Sequence, residues 1–437
     1  MIKNKILTTL LLVLCLFLSL IPVSSAEDNS TEGDPDLWGY TDEDGDGLIL
    51  VTVPGETYTA YMLIVLDPTR VVLGCRPDRI GAKGYVLDDF AAQFDAVAGI
   101  NAGGFEDYNG QGNGSTPDSV IVHEGEILCG YFGVGNGFVG LDADGILQVD
   151  FEKVDDLKER NIIEGAGFGP VLVKDGEIVN AEKLAASNLN PRTAIGQRAD
   201  GALLLLVIDG RQPNSLGGSF LDEAELMLDF GAVTANNLDG GSSSLMWYDG
   251  EYLNNKADVI GVRNMPSSFL VLKEGKKHTD AFLERFDTQE LQPSAEHQWT
   301  SGQDASLPDN CKGTERKELV SFAEEYIRRF VAFSADVNFM STINYHSIRD
   351  LVVPDGELQA RLYQAFGSFG FVCAKESEVV EFRTESCSKT GDNRYVVEIS
   401  YDTDTRGRSD HVIETRNMRI SVVRTDDKLL AEAMTFY

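Results

Sequence analysis

Five short stretches set glycine or an amide beside a charged side chain: Asn101-Ala102-Gly103-Gly104-Phe105, Asn190-Pro191-Arg192-Thr193, Asp209-Gly210-Arg211, Asn237-Leu238-Asp239-Gly240-Gly241-Ser242-Ser243-Ser244 and Arg263-Asn264-Met265-Pro266. Guanidinium groups grip phosphate or carboxylate bidentately, so Arg192, Arg211 and Arg263 point to an anionic ligand. The net charge of −33 makes positive charge inside motifs more telling. Asp209 and Asp239 are two carboxylates that could share general acid and base work if the fold brings them within reach. Gly103-Gly104 and Gly240-Gly241 would let backbone amides approach an anion without a side chain in the way, with Ser242 beside them. The competing reading of any one arginine is a structural ion pair with a neighbouring aspartate. For the glycines it is a tight surface turn.

These residues need strand ends and turns to hold them. The apolar run Leu203 to Ile208 reads as a strand entering Asp209. Ser219 can cap a helix over Phe220 to Phe230, with Asp222 as the capping-box acceptor and Phe220, Ala224, Met227 and Leu228 at helical spacing. Gly231 ends that helix, and Ala232 to Ala235 form a second strand before Asp239. A strand–helix–strand unit with polar strand ends is a natural ligand site. From Leu48 to about Leu272 the remaining signals are mostly strand and turn, with hairpins around Glu124-Gly125, Asp144-Gly145 and Asp175-Gly176 and a short helix at Val86 to Phe94. Residues 48–272 are therefore expected to form one strand-rich, mixed α/β domain.

The flanks differ. Lys3 and Lys5, the apolar run Ile6 to Val23 and Ser24-Ser25-Ala26 make a secretory leader cut after Ala26, residues 1–26, with an uncleaved anchor as the alternative. Export without later membrane insertion follows. Residues 27–47 are an acidic, flexible lead-in. Asp42, Asp44 and Asp46 resemble the start of a calcium loop, but Val53 stands where the closing Glu should be, so a polar turn reads better. Clustered Asp and Asn oxygens could hold calcium, yet no cofactor is expected. Residues 273–314 read as a linker with a short helix near Ala281 to Phe286. Beyond it, Leu319, Phe322, Ala323, Tyr326, Ile327, Phe330 and Phe333 mark an amphipathic helix, Leu358 to Phe366 another, and four alternating strands end the chain. Residues 315–437 should thus be a smaller α+β domain with an antiparallel sheet. Its element order resembles the cone-shaped domains of the nuclear-transport-factor-2-like superfamily, with Tyr345, His346 and Arg349 able to line a pocket and homodimerisation allowed.

Strong acidity argues against nucleic acid as a partner. Cys75, Cys129, Cys311, Cys373 and Cys387 lack paired CxxC spacing, which makes zinc improbable, and Cys373 with Cys387 is the expected disulfide. The histidines number only five and are scattered, which disfavours a histidine-based metal or triad enzyme.

The five stretches, extended through Asn190-Pro191-Arg192-Thr193-Ala194-Ile195-Gly196, stand in an order that resembles the phosphodiester glycosidases over residues 48–272. That resemblance implies hydrolysis of a bond between a sugar anomeric carbon and a phosphodiester oxygen, in cell-wall, capsular or exopolysaccharide material. Carried over by position, Asn101, Arg192, Asp209, Arg211, Asp239 and Arg263 become the site. Arg192 and Arg211 would hold the phosphate and stabilise the leaving oxygen, Asp239 and Asp209 would be the acid/base or nucleophilic carboxylates, and Asn101 would hold a sugar hydroxyl. Glu106 departs from the apolar residue expected after Phe105. The alternative reading is a non-catalytic glycan- or wall-binding assembly protein on the same fold.

Overall fold

The computed structural model describes residues 40, 42, 44–107, 112–129, 137–151, 153–212, 215–254, 262–275, 307–335, 348–366, 376–406, 411–426 and 428–436. The leader, the helix expected near Ala281, and Tyr345, His346 and Cys373 lie outside them.

A seven-stranded sheet carries, in spatial order, Leu48–Pro54, Thr59–Val65, Leu203–Ile208, Arg192–Arg198, Ala232–Asn237, Val171–Lys174 and Glu177–Ile178, with each neighbouring pair antiparallel. Along a strand, alternate side chains leave on opposite faces. Leu204 and Leu206 accordingly pack with Met62, Ile64 and Ala194 under the helix α4 (Phe220–Asp229), while Leu203, Leu205 and Val207 face inward. Cover on both faces is why the strand Leu203–Ile208 is apolar throughout. Helix α4 starts as its sequence demands: Ser219 Oγ accepts from Asp222 N at 3.1 Å and Ser219 N donates to Asp222 Oδ2 at 2.6 Å.

The inward face meets two five-stranded sheets. One holds Glu251–Tyr252, Met246–Tyr248, Ala96–Asn101, Ser267–Leu272 and Val71–Cys75; the other holds Glu126–Ile127, Ile121–His123, Ile162–Gly167, Phe138–Asp142 and Leu147–Gln148. Leu63, Leu205, Ile100, Phe269, Val139 and Ala166 share the resulting core. The helix α1 (Leu87–Phe94) covers the first of these sheets through Leu87, Phe90 and Ala91. The short helices α2 (Val154–Glu159) and α3 (Ala181–Ala185) sit on connections.

Register collects the sequence motifs. Arg192 pairs with Ile208 and Ala194 with Asn237, so the strand ends leading to Arg192, Asp209 and Asp239 face one edge of the seven-stranded sheet, and Asn101 at the end of its own sheet's strand reaches them through its bond to Asp239. The strand–helix–strand unit is not a directly paired one. The strand Arg192–Arg198 runs between Leu203–Ile208 and Ala232–Asn237, antiparallel to both.

At the N-terminal edge, Asp42 accepts from Gly45 N and Gly47 N at 2.9 and 2.8 Å, and Asp46 from Leu48 N at 2.8 Å. These carboxylates cap the turn into the first strand; their oxygens, with Asp44, lie within 4.8 Å of one another.

The C-terminal domain packs the helix α5 (Gly313–Ala335) on an antiparallel meander of Glu376–Gly391, Arg394–Arg406, His411–Arg424 and Leu429–Phe436. Leu319, Ala323, Tyr326, Ile327 and Phe330 fill its core. Leu189 and Leu216 of the first domain are buried in that same core, each contributing roughly 2 kcal/mol of burial. The helix α6 (Glu357–Phe366) docks between the domains. Its Arg361 donates to Asp222 at 2.8 Å, and Gln364 Nε2 donates to the carbonyls of Ala185 and Ser187 at 2.6 and 2.7 Å. Arg361→Ala would leave the carboxylate of Asp222, 10% exposed, without its cation. We expect a loss of about 2 kcal/mol, measured as a lower urea midpoint of the full chain. An unchanged midpoint would mean that this contact does not hold the domains together.

Among the described residues, no helix is long and apolar enough to cross a membrane.

Candidate active site

Asp239 follows the strand Ala232–Asn237 on the double-glycine turn, and four groups fix it. Its amide donates to Ala102 O at 3.0 Å, its carbonyl accepts from Asn101 Nδ2 at 2.6 Å, and its carboxylate accepts from Gly240 N at 2.9 Å and from Ser243. The side chain is closely surrounded by protein, and the residue keeps partial exposure. Burial lifts its pKa to about 7 against the opposing hydrogen bonds, and the Asp118 carboxylate pushes the same way while Arg263 pulls down. A carboxyl poised there can hold and release a proton near neutrality.

Asp118 is the carboxyl that acts on Asp239. Its amide donates to Gly104 O at 3.1 Å, and its carboxylate lies over the α-carbon of Gly104. Its Oδ1 is buried with no hydrogen-bond partner, and burial, then the charge of exposed Glu106, raises its pKa above the ordinary value. Two neighbouring carboxyls, both raised by burial, are candidates for acid and base roles.

Gly104 is required here by space. A methyl group on it would stand 2.6 Å from Asp118 Oδ2 and 2.8 Å from the Phe168 ring. Gly104→Ala is therefore expected to shift Asp118 and lower turnover about 100-fold with the far-ultraviolet circular dichroism spectrum unchanged. Turnover within about twofold of wild type would remove Asp118 from the chemistry.

The arginines divide by burial. Arg263 is buried; its Nη1 donates to Asp107 Oδ2 at 2.7 Å and Ser242 Oγ at 3.1 Å, its Nη2 to Gly112 O at 3.2 Å, and it lies over Phe105. That bond draws the Asp107 carboxyl below its usual range. Arg192 is buried too. Its Nε donates to Gly218 O at 3.0 Å and its Nη2 to Asn188 O at 2.6 Å, over the Phe220 ring and beside fully buried Glu223. It fastens the 188–191 and 217–220 loops together. Arg211 is the half-exposed one. Its Nη2 donates to Asn190 Oδ1 at 2.9 Å, and its guanidinium passes 3.2 Å from where a side chain on Gly241 would begin. Gly241 also has a φ of +62°, so both shape and backbone require glycine.

The other residues singled out from the sequence hold the frame. Asn101 is 1% exposed: one Nδ2 hydrogen goes to Asp239 O, and Oδ1 accepts from Thr193 Oγ1 at 2.8 Å and Leu245 N at 3.1 Å. An Asn so enclosed positions Asp239. Gly103 N donates to Ser267 Oγ at 3.3 Å, and Gly241 N to Pro191 O at 2.9 Å. Asp209 is 1% exposed; its amide donates to Thr59 O, its carbonyl accepts from Ser215 Oγ, and its charge is felt by Tyr61. The groups acting most strongly on Asp239 are Ser243, Asp118, Arg263 and Gly240, and Asp209 is not one of them. The fold thus gathers Asp239, Gly240, Gly241, Ser242, Arg263, Gly104 and, past Gly241, Arg211. Asp209 and Arg192 are buried, at 1% and 7% exposure. Asp118 and Ser243 are the members sequence reasoning passed over. Thr116-Pro117-Asp118-Ser119 reads only as the polar entry to a hairpin.

Residues 94–272, which contain Asp239, Asp118 and all three arginines, match the phosphodiester glycosidase family model. The SPβ prophage-derived uncharacterized protein YomE of Bacillus subtilis (strain 168) is 34% identical over 171 residues, covering 38% of this chain and 26% of that protein. The chain thus spans about a quarter of that relative's length. Among solved structures, the catalytic domain of zebrafish N-acetylglucosamine-1-phosphodiester alpha-N-acetylglucosaminidase, auto-inhibited by its pro-peptide, has a TM-score of 0.44 at 20% identity, covering 54% of this chain and 86% of that one. A hypothetical protein from Synechocystis has a TM-score of 0.42 at 14% identity, covering 52% and 62%. The segment 94–272 of this chain thus carries the phosphodiester glycosidase family domain.

Proposed function

We propose that this chain is an exported hydrolase that cleaves the bond between a sugar anomeric carbon and a phosphodiester oxygen in phosphate-linked glycans of cell-wall, capsular or exopolysaccharide material. The observation that carries this reading is the Asp239–Asp118 pair, two carboxyls raised by burial beside the glycine turns, with Arg263 acting on Asp239 and Arg211 against Gly241. Asp239, protonated below about 7, donates to the departing phosphoryl oxygen. Asp118 acts on the opposite side of the reaction, as base toward water or as nucleophile toward the anomeric carbon. Arg211, the most exposed of the three arginines, takes the phosphate, and Arg263 holds Ser242, Asp107 and Gly112 in place around it. The leader with Lys3, Lys5 and the run Ile6 to Val23 supports export.

The bond cleaved is identified by where the oxygen of water ends up. A sugar-1-phosphodiester incubated with the full chain in oxygen-labelled water should yield free reducing sugar labelled at the anomeric carbon and an unlabelled phosphomonoester. Label in the phosphomonoester, or sugar-1-phosphate and an alcohol, would indicate phosphorus–oxygen cleavage instead and overturn the glycosidase reading.

A further inference from the structure

The segment that leads into helix α5 lies along the end of the strand Glu376–Gly391 and brackets one residue, Cys387. Ser388 Oγ donates to Pro308 O at 2.8 Å, Cys387 N to Asp309 Oδ1 at 3.0 Å, and Lys389 N to Asn310 Oδ1 at 2.8 Å. The amides of Asn310 and Cys311 both donate to Cys387 O, at 3.2 and 3.0 Å. The Cys311 and Cys387 thiols are in hydrogen-bonding contact. Both residues are buried, at 3% and 0% exposure, in the core that holds Leu319, Ala323 and Val397. Thiols already in contact, on backbones tied directly to each other, are placed for a disulfide to form between them.

We propose that Cys311 and Cys387 are a disulfide site, closed by thiol–disulfide exchange with a small disulfide oxidant of the glutathione class. One cysteine thiolate attacks the oxidant and displaces one of its thiolates, leaving a mixed disulfide. The second cysteine thiolate then attacks the protein sulfur of that bond and displaces the other. Two protein S–H protons and two electrons are given up, and the oxidant departs as two thiols. Burial, then the bond to Cys311, pushes the Cys387 thiol up to about 12. The attacking thiolate is thus scarce once the domain has closed, and the exchange belongs to the folding chain. The bond would enclose α5, α6 and most of the first strand of the meander, fastening the chain's entry into the C-terminal domain to its sheet. An exported chain meets the oxidising conditions that preserve such a bond. This pairing differs from the one expected from sequence, in which Cys387 joins Cys373.

The test is a peptide map of the full chain produced in an oxidising compartment of the expression host, with free thiols blocked at lysis and digestion under non-reducing conditions. The expected result is a peptide pair joined through Cys311 and Cys387, lost in Cys311→Ser and in Cys387→Ser. Reducing the unaltered chain should lower its thermal midpoint by several degrees, a shift that both variants already show without reductant. Cys311 and Cys387 both recovered as blocked thiols, or Cys387 joined to Cys373 or another cysteine, would overturn the proposal. The map uses the unaltered chain, so it holds even where a variant fails to fold.

Discussion

Asp239→Asn is expected to lower hydrolysis of a sugar-1-phosphodiester by about 10³-fold, because the amide keeps the shape of the side chain and its bond from Gly240 but has no proton to give. The wild-type rate should carry an alkaline limb at about 7, falling about tenfold per pH unit above it, since Asp239 acts in its protonated form. The same shift has a stability counterpart. The folded pKa of Asp239 lies above its ordinary 3.8, so its contribution to stability is complete below 3.8 and is lost as pH rises through about 7. The Asn variant lacks that loss. It should be at least as stable as wild type at pH 8, which separates failed chemistry from failed folding. An alkaline limb that persists at 7 in the residual activity of the Asn variant would assign the titration to another group.

Asp118→Asn is expected to lower turnover by about 10²- to 10⁴-fold, the range for loss of a positioned base; a lost nucleophile would lie at its upper end. It should also move what remains. The Asp118 charge helps to raise the Asp239 pKa, so removing it displaces the alkaline limb to lower pH. A limb left where it stands would mean that the Asp118 charge does not act on Asp239. The displacement should appear in the pH profile of the whole reaction.

Much of the frame can be read from local pattern. The run Leu203–Ile208 has no polar alternation because helix α4 covers one face and the central core the other. The Ser219–Asp222 capping box and the Leu319-to-Phe330 stripe each write a helix in a few residues. The glycine-bearing turns mark strand ends, and register brings those of the seven-stranded sheet to one edge. What local pattern does not hold is burial. Arg192, Arg211 and Arg263 are alike as letters, yet Arg192 is enclosed over Phe220 while Arg211 lies half open beside Gly241. Asp209 and Asp239 each precede glycine, yet Asp209 is 1% exposed while Asp239 keeps partial exposure and stands in the field of Asp118. Asp118 reaches the site through pairing with Gly104, a contact between turns that carries no periodic signal. Leu189 and Leu216 join the second domain's core from loops of the first, again without a local mark.

The central claim is tested most directly by release of free sugar from a panel of sugar-1-phosphodiesters, including UDP-sugars and wall teichoic fragments, with wild type and Asp239→Asn side by side. The account predicts sugar release by wild type from at least one member of the panel, and its loss in the Asn variant, with both proteins folded by circular dichroism. Equal release by both proteins, or none by wild type while it still binds wall polymer, would contradict it and favour a glycan-binding protein built on the same fold.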